Sequence, residues 1–392
     1  MKKILFISRK FDLVGKSAPS RYLLDVIDAV DQEGNQIELL KLDFNTYKKH
    51  LFFDNKFRHK LIIPGFAKLN GKLISLSYLF YHKWLRMLKI KIKYRRASGP
   101  LSQVETKYIK KLNKKKYDTV IVDYFSLAKA LNLFPSKKGI VTHDVWHQHF
   151  SVGKSDTFFG NLRASDEAEL LQLADFILAI SKRDQLSFEK MQLDKTEVIY
   201  FPPAIKSKLG LTQGLMKKRF ESKNILFVGS NYRPNVFGLE WFIEKVWPLL
   251  IFKHDEINLI VIGNVKKYIN PEFIDKYDNI QFLGFVDDLQ SYYINSKFVI
   301  SPLLEGTGIK IKNIEAIEYA LPIVSTSIGA QGLESFINKG LVVRDDPETF
   351  ADELLNILTN FECYKGQTEL LVSEKKKFMQ QSEKKTLQKY LT

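Results

Sequence analysis

Residues 303–316 read "LLEGTGIKIKNIEA", which sets a Gly-Thr-Gly turn, two lysines at alternate positions and a glutamate within one short stretch. Glycines ahead of a helix let backbone N–H groups approach a ligand, and a helix N-terminus carries about half a positive charge. Lys310 and Lys312 add full charges that suit a pyrophosphate. Glu315 falls about one turn past Lys312 on the same helical face, where its carboxylate can accept hydrogen bonds from a vicinal diol. A glycine-rich turn feeding a solvent-facing basic helix would use the same residues, and isolated Gly/Lys motifs often arise by chance. Both readings stay open on this stretch alone.

Other chemistry-bearing patterns narrow the field. "GKS" at 15–17 matches the end of a phosphate-binding loop, but that loop needs glycine at position 10, where Lys10 stands. No G-x-G-x-x-G follows the first strand of either half, which argues against a dinucleotide-dependent dehydrogenase. No Asp-x-Asp occurs, so the metal-bridging carboxylate pair of many sugar transferases is missing. "THDVWHQHF" offers His143, His147 and His149, with Asp144 the one carboxylate at an obvious spacing, and no metal site is expected there. The single cysteine, Cys363, excludes an internal disulfide and fits a reducing compartment.

The elements that must position these residues follow from apolar patterning. "KILFIS", "QIELLKL", "DTVIVD", "GIVTH", "DFILAIS" and "TEVIYF" read as strands, with a helix over 20–33 between the first two. Pro202-Pro203 and a polar, basic stretch then interrupt the rhythm. "NILFVG", "INLIVIG", "NIQFLGF", "KFVISP" and "LPIVST" form a second series, with helices expected over 236–252, 286–296, 309–320 and 346–359. Short apolar strands alternating with amphipathic helices imply two α/β domains, each a doubly wound parallel sheet. The expected domains are 1–204, with a basic insert over about 45–116, and 223–370, joined by a linker at 205–222. Residues 371–392 are expected as a C-terminal helix packing back on the first domain, and ligands are expected in a cleft at the strands' carboxyl ends.

Charge is unevenly spread. The net +16 of the 392-residue chain is concentrated between Lys41 and Lys116, where 21 Lys/Arg face three acids, a net of +18. Within it "KLISLSYLFYHKWLRMLKIKIKYRR" (72–96) mixes basic residues with large apolar ones, as does a helix attracted to an anionic membrane surface. A solvated helix face and a nucleic-acid-binding surface are the rival readings, and no nucleic-acid partner is expected. The apolar run of "MKKILFISRK" is too short for a signal-peptide core, and no uninterrupted run reaches the ~18 residues of a membrane span. A cytoplasmic protein is expected, peripheral on the inner face of the membrane.

Taken together, "ISPLLEGTGIKIKNIEAIEYALPIVSTSIGAQGLE", "NILFVGSNYRPNVFGLEWFIEKVWPLL", "IQFLGFVDDLQSYYINSKFVISP" and "ASDEAELLQLADFILAIS" resemble the GT-B glycosyltransferases of family 4 (group 1), over about 165–345. The resemblance implies two Rossmann-like domains, a nucleoside-diphosphate sugar held by the second and an acceptor, glycan or lipid-linked, held by the first. It also implies transfer with retention and neither metal nor other cofactor. Glu315 matches the second glutamate of the family's E-x7-E motif, which binds the donor ribose. Gly306, Thr307, Gly308 and Ile309 match the loop around donor sugar and phosphates, and Phe285 and Val286 match positions lining the nucleobase. Gly229, Ser230 and Asn235 fall on the donor loop, and His143 matches the histidine near the reacting sugar.

This sequence departs from the pattern twice. Thr307 stands where the first glutamate would fall, with Glu305 two residues out of register, and Ser230 and Asn235 occupy the places of the usual basic pair. Arg233, Lys310 and Lys312 are the nearest cations for the diphosphate, so His143, Lys310 and Arg233 are expected to carry catalysis. Lys16, Ser17, Arg21 and Asp144 are expected on the acceptor side. A GT-B scaffold that has lost catalysis and binds membranes or glycans is the second reading. An epimerase would need acid/base carboxylates that the sequence does not place.

Overall fold

The computed structural model describes residues 1–9, 11, 18–31, 34–42, 52–53, 59–62, 66–69, 72–75, 101, 103–150, 162–383 and 387–391. They form two compact units, Met1–Pro203 with Lys385–Thr392, and Ala204–Lys384.

The strands of the first unit are β1 (Lys3–Ser8), β2 (Gln36–Lys41), β3 (Phe52–Phe53), β4 (Lys60–Ile62), β5 (Phe66–Leu69), β6 (Lys72–Ser75), β7 (Thr119–Asp123), β8 (Lys137–Val141), β9 (Phe176–Ala179) and β10 (Glu197–Tyr200). Seven of them make a parallel sheet in the order β10-β9-β8-β7-β1-β2-β4. The near-continuous Val/Ile/Leu content of β1 and β7 reflects burial on both faces. Strand order reverses between β1 and β7, so the ends of these two strands, Ser8-Arg9 and Asp123-Tyr124, lie where doubly wound folds bind ligands.

The second unit holds β11 (Asn224–Val228), β12 (Asn258–Ile262), β13 (Ile280–Gly284), β14 (Phe298–Ser301), β15 (Ile323–Ser325) and β16 (Leu341–Val343). They form a second parallel sheet in the order β13-β12-β11-β14-β15-β16. One face is covered by a core that includes Phe242, Trp247, Phe350 and Leu354, the other by one that includes Tyr293, Ile314, Ile317 and Phe336. The reversal here falls between β11 and β14, which puts the loops after Val228 and after Ser301 side by side at the switch point.

Several expectations are corrected. Residues 205–222 are part of the second unit, not a linker, and contain the helix Gln213–Glu221, whose Arg219 is fully buried. The last long helix runs from Phe361 to Glu383 within the second unit, and residues 385–392 alone group with the first. There Thr119 Oγ1 donates to the Leu391 carbonyl at 3.0 Å. Lys72–Ser75, expected in a basic helix, is a strand in a three-stranded antiparallel sheet of order β3-β6-β5, and residues 76–96 lie outside the described ones. The strand β16 is not among the expected ones, because its three-residue apolar run "LVV" is too short to show a periodicity. Among the described residues no helix is long and apolar enough to cross a membrane.

Candidate functional site

In the second unit the site is shaped by close backbone approaches. A Cβ on Gly263, whose φ is +110°, would lie 2.0 Å from the Gly229 carbonyl oxygen, so glycine here lets the β12 loop press against the β11 loop. The helix Arg233–Trp241, with Pro234 at its start, packs equally tightly: a Cβ on Gly238 would lie 2.4 Å from the Pro302 carbonyl oxygen. That contact fixes the helix beside the loop after β14. Gly306 and Gly308 turn this loop at φ +113° and +72°, and the Lys310 ammonium folds back onto the carbonyls of Thr307 (3.1 Å) and Gly308 (2.6 Å). Lys310 thus ties the turn together at the start of the helix Ile311–Glu318.

Lys312 reaches across from this helix. Its ammonium donates to Asn235 Oδ1 at 3.0 Å and lies 4.5 Å from the centre of the Phe227 ring. Among the described residues no carboxylate lies within ion-pair distance of it. The stem keeps some solvent contact, but burial around the amine, with the Lys310 charge nearby, pushes it down to about 7. Asn235 is where the resemblance leads one to expect a basic residue, and the Lys312 ammonium, from the other helix, meets it there.

Glu315, one turn on, accepts a 3.0 Å hydrogen bond from the Tyr293 hydroxyl. Tyr293 is buried and stacks on Tyr319, with ring centres 5.1 Å apart and planes within 7°. Arg233 pairs with Glu305 at 3.2 Å and covers Phe237, so the glutamate that is out of register serves a half-exposed surface pair. Ile309 and Val286 pack partly buried against the core under Ile314, whereas Phe285 is 64% exposed beyond Gly284. Thr307 is half-buried, and Ser230 accepts from Asn235 Nδ2 through its carbonyl at 3.2 Å. Beneath the loop, Asn313 is fully buried; its amide donates to the Gly329 carbonyl at 2.9 Å and its Oδ1 has no protein partner.

The first unit gathers a different set at the ends of β1 and β7. Asp123 accepts from Ser8 Oγ at 2.5 Å and holds His143 Nε2 at 2.6 Å. The His143 side chain is only 7% exposed, stacked on Tyr124 at 4.6 Å and met edge-on by Tyr22 at 5.4 Å. Tyr124 adopts φ +82°, a strained value for a bulky residue, and its hydroxyl donates to Asp144 at 3.2 Å. His147 is held separately: the buried Glu167 accepts from the Trp146 and His147 backbone N–H groups and contacts His147 Nδ1 at 2.9 Å. Each of these histidines therefore has its own carboxylate, and among the described residues no group of three or more His, Cys, Asp or Glu side chains gathers to hold a metal ion. Arg21 lies half-buried on the helix Ala18–Asp31, and Lys16 and Ser17 lie outside the described residues.

Of the expected residues, the fold brings Gly229, Ser230, Arg233, Asn235, Thr307, Gly308, Lys310, Lys312 and Glu315 onto the adjoining loops and helix starts that follow β11 and β14, at the carboxyl end of the sheet. Sequence reading missed Tyr293 and Asn313, which hold parts of that cluster, and Ser8, Asp123 and Tyr124, which hold His143. Asp123 alone left a signal, as a polar residue closing the apolar run "DTVIVD".

A family model described as "Glycosyl transferases group 1" matches residues 222–360, the stretch that carries this loop set. The second unit is a group 1 glycosyltransferase domain. A Klebsiella pneumoniae relative, an uncharacterized 44.6 kDa protein in the cps region, is 35% identical over 145 residues. That match covers 35% of this chain and 37% of the relative, so it spans little more than a third of either protein. Solved structures match at full length. S. aureus TarM superposes with a TM-score of 0.71 at 13% identity, covering 100% of this chain and 99% of its own. Sucrose-phosphate synthase from Thermosynechococcus elongatus gives 0.67 at 14%, covering 100% and 96%, and Anabaena HepE, solved with UDP and glucose, gives 0.67 at 16%, covering 99% and 100%. At these identities the likeness is one of fold. Around the group 1 glycosyltransferase domain, the chain as a whole has the two-domain GT-B architecture.

Proposed function

We propose that the protein is a glycosyltransferase that moves a sugar from a nucleoside-diphosphate-sugar donor to a glycan or lipid-linked acceptor, with retention and without a metal. The observation that carries this reading is the convergence of Lys312, the positive-φ Gly306–Gly308 turn and Glu315 at the switch point of a group 1 glycosyltransferase sheet. Positive helix termini and an amine with no carboxylate partner suit a diphosphate, and a held carboxylate suits ribose hydroxyls. S. aureus TarM has been solved with UDP and α-GlcNAc-glycerol, and Anabaena HepE with UDP-glucose, which supports a nucleotide sugar as donor. The cps-region relative supports a role in cell-surface polysaccharide or glycolipid synthesis.

In the reaction the donor's C1–O bond to the diphosphate breaks, the acceptor oxygen bonds to C1 on the same face, and the acceptor proton passes to the departing diphosphate oxygen. Lys310, Lys312, Arg233 and the loop N–H groups stabilise the developing charge. His143, fixed by Asp123, is assigned to the reacting sugar, and Arg21, Asp144, Lys16 and Ser17 to the acceptor. Residues 41–116 are assigned to an anionic membrane surface on the cytoplasmic side.

Thermal-shift screening of the full chain against UDP-, GDP-, ADP- and dTDP-sugars tests the donor assignment, because a ligand stabilises the fold in proportion to its occupancy. A shift with one nucleotide class and product formation from it are expected. Thr307 in the place of a family glutamate favours the second reading, a non-catalytic glycan- or membrane-binding scaffold, and binding without turnover across a panel of acceptors would select it.

A further inference from the structure

We propose that binding of a nucleoside-diphosphate sugar draws a proton onto Lys312, so that the site carries its full counter-charge only when occupied. This rests on the donor-site reading above and adds a pH-dependent control to it.

The surroundings of the amine make the argument. The Lys312 ammonium meets Asn235 Oδ1, a neutral acceptor, at 3.0 Å and the face of Phe227 at 4.5 Å. The charges on the elements packed around it are mostly spent or of the wrong sign. Lys310, two residues earlier, adds a like charge while holding the Thr307 and Gly308 carbonyls. Glu315, on the next turn, is engaged by the Tyr293 hydroxyl, and Tyr293 OH also lies 3.4 Å from the Lys312 carbonyl. On the facing helix, Arg233 is paired with Glu305. The N-termini of Arg233–Trp241 and Ile311–Glu318 both present partial positive charge to this corner.

An ammonium here keeps one neutral acceptor and one ring face but no carboxylate, and against them stand desolvation, the Lys310 charge and the positive helix ends. Burial and the Lys310 charge accordingly hold Lys312 at about 7, far below the ordinary lysine value. A diphosphate reverses the sign of the local field and makes the charged form the favoured one. Arginine at this position would stay protonated throughout, whereas lysine can release its proton when the site empties. Linkage sets the direction: the bound state holds the extra proton, so affinity weakens as pH rises above neutrality.

The test is calorimetric titration of the full chain with UDP-glucose, GDP-mannose, ADP-glucose and dTDP-glucose, in Tris and in HEPES, at pH 6 and pH 8. These sugars lose their diphosphate protons well below pH 6, so any proton taken up is taken up by the protein. A group at about 7 predicts uptake of about 0.9 proton per donor at pH 8 and about 0.1 at pH 6. Whatever donor affinity Lys312→Arg retains should come with no proton uptake at pH 8. Donor binding with no uptake in the natural protein overturns the proposal and leaves the donor site standing. Failure of every nucleotide sugar to bind overturns both. Should Lys312→Arg fold poorly, NMR of ε-13C-lysine in the natural protein decides: a lysine that titrates near neutrality and moves on donor addition supports the proposal, and the absence of any lysine that does both, in protein shown to bind donor, refutes it.

Discussion

Replacing Arg219 by methionine should loosen the second unit by several kcal/mol, although the residue lies in a stretch whose composition reads as a linker. Its guanidinium is fully buried and donates to four carbonyls: Ile294 at 3.1 Å, Tyr293 at 3.1 Å, Tyr319 at 3.0 Å and Ala320 at 3.2 Å. Those carbonyls close the helices Gln290–Asn295 and Ile311–Glu318, whose last turns have no intrahelical donors. One cation therefore caps two negative helix ends. Burial lowers the Arg219 pKa, yet arginine starts so high that the charge is kept. Methionine keeps an apolar stem and removes every donor. Hydrogen bonds to a charged group are worth about 1.5–3 kcal/mol each, but they share one guanidinium, so a total loss of about 3–5 kcal/mol is expected. For a domain of this size that corresponds to a fall of about 6–20 °C in Tm. Scanning calorimetry on Arg219→Met, with Arg219→Lys expected to fall between, measures it. Because Tyr293 also holds Glu315, donor affinity should fall with stability. A Tm within about 1 °C of the natural protein would refute the capping argument.

Tyr293→Phe keeps the stacked ring and removes the hydroxyl on Glu315; donor Kd should weaken about five- to tenfold with a small change in Tm, and an unchanged Kd would detach Tyr293 from the site. Asp123→Asn replaces a charge-assisted contact to His143 with a neutral one, so kcat should fall about ten- to a hundredfold while donor Kd, set in the other unit, stays fixed. Equal turnover would remove His143 from catalysis. Glu38 is buried, which raises its pKa, but Lys60, Tyr117 and Lys115 outweigh this and the net shift is downward. Its stabilisation is complete above the unfolded carboxyl value and is lost as pH falls through the lower folded one. Glu38→Gln should therefore lower Tm at pH 7 and lose that deficit in acid, as thermal melts from pH 7 to 3 would show.

Both sheets were readable because parallel strands buried on two faces leave continuous apolar runs, and "KILFIS", "DTVIVD" and "NILFVG" announce themselves. The loop at 303–316 was readable because glycine and lysine there are unusual company for a strand end. What stayed hidden depends on contacts between distant residues. Nothing near Arg219 in the chain shows that the carbonyls of Tyr293 and Ala320, 74 and 101 residues away, need its charge. Ser8 and Asp123 are 115 residues apart, and the dyad holding His143 exists only because β1 and β7 are neighbours. The lysine-to-Asn235 reach likewise spans 77 residues, so sequence showed missing charges after "FVG" without showing where Lys312 would deliver one.

The central claim is that Glu315 and the Lys310–Lys312 turn form a nucleotide-sugar site in the second unit. Its most direct test is donor Kd and turnover for Glu315→Ala beside the natural protein, with circular dichroism to show that both are folded. Loss of a charged acceptor for ribose hydroxyls, at about 1.5–3 kcal/mol, predicts donor affinity weaker by about ten- to a hundredfold and turnover reduced with it. A folded variant with unchanged donor affinity and unchanged turnover would contradict the site.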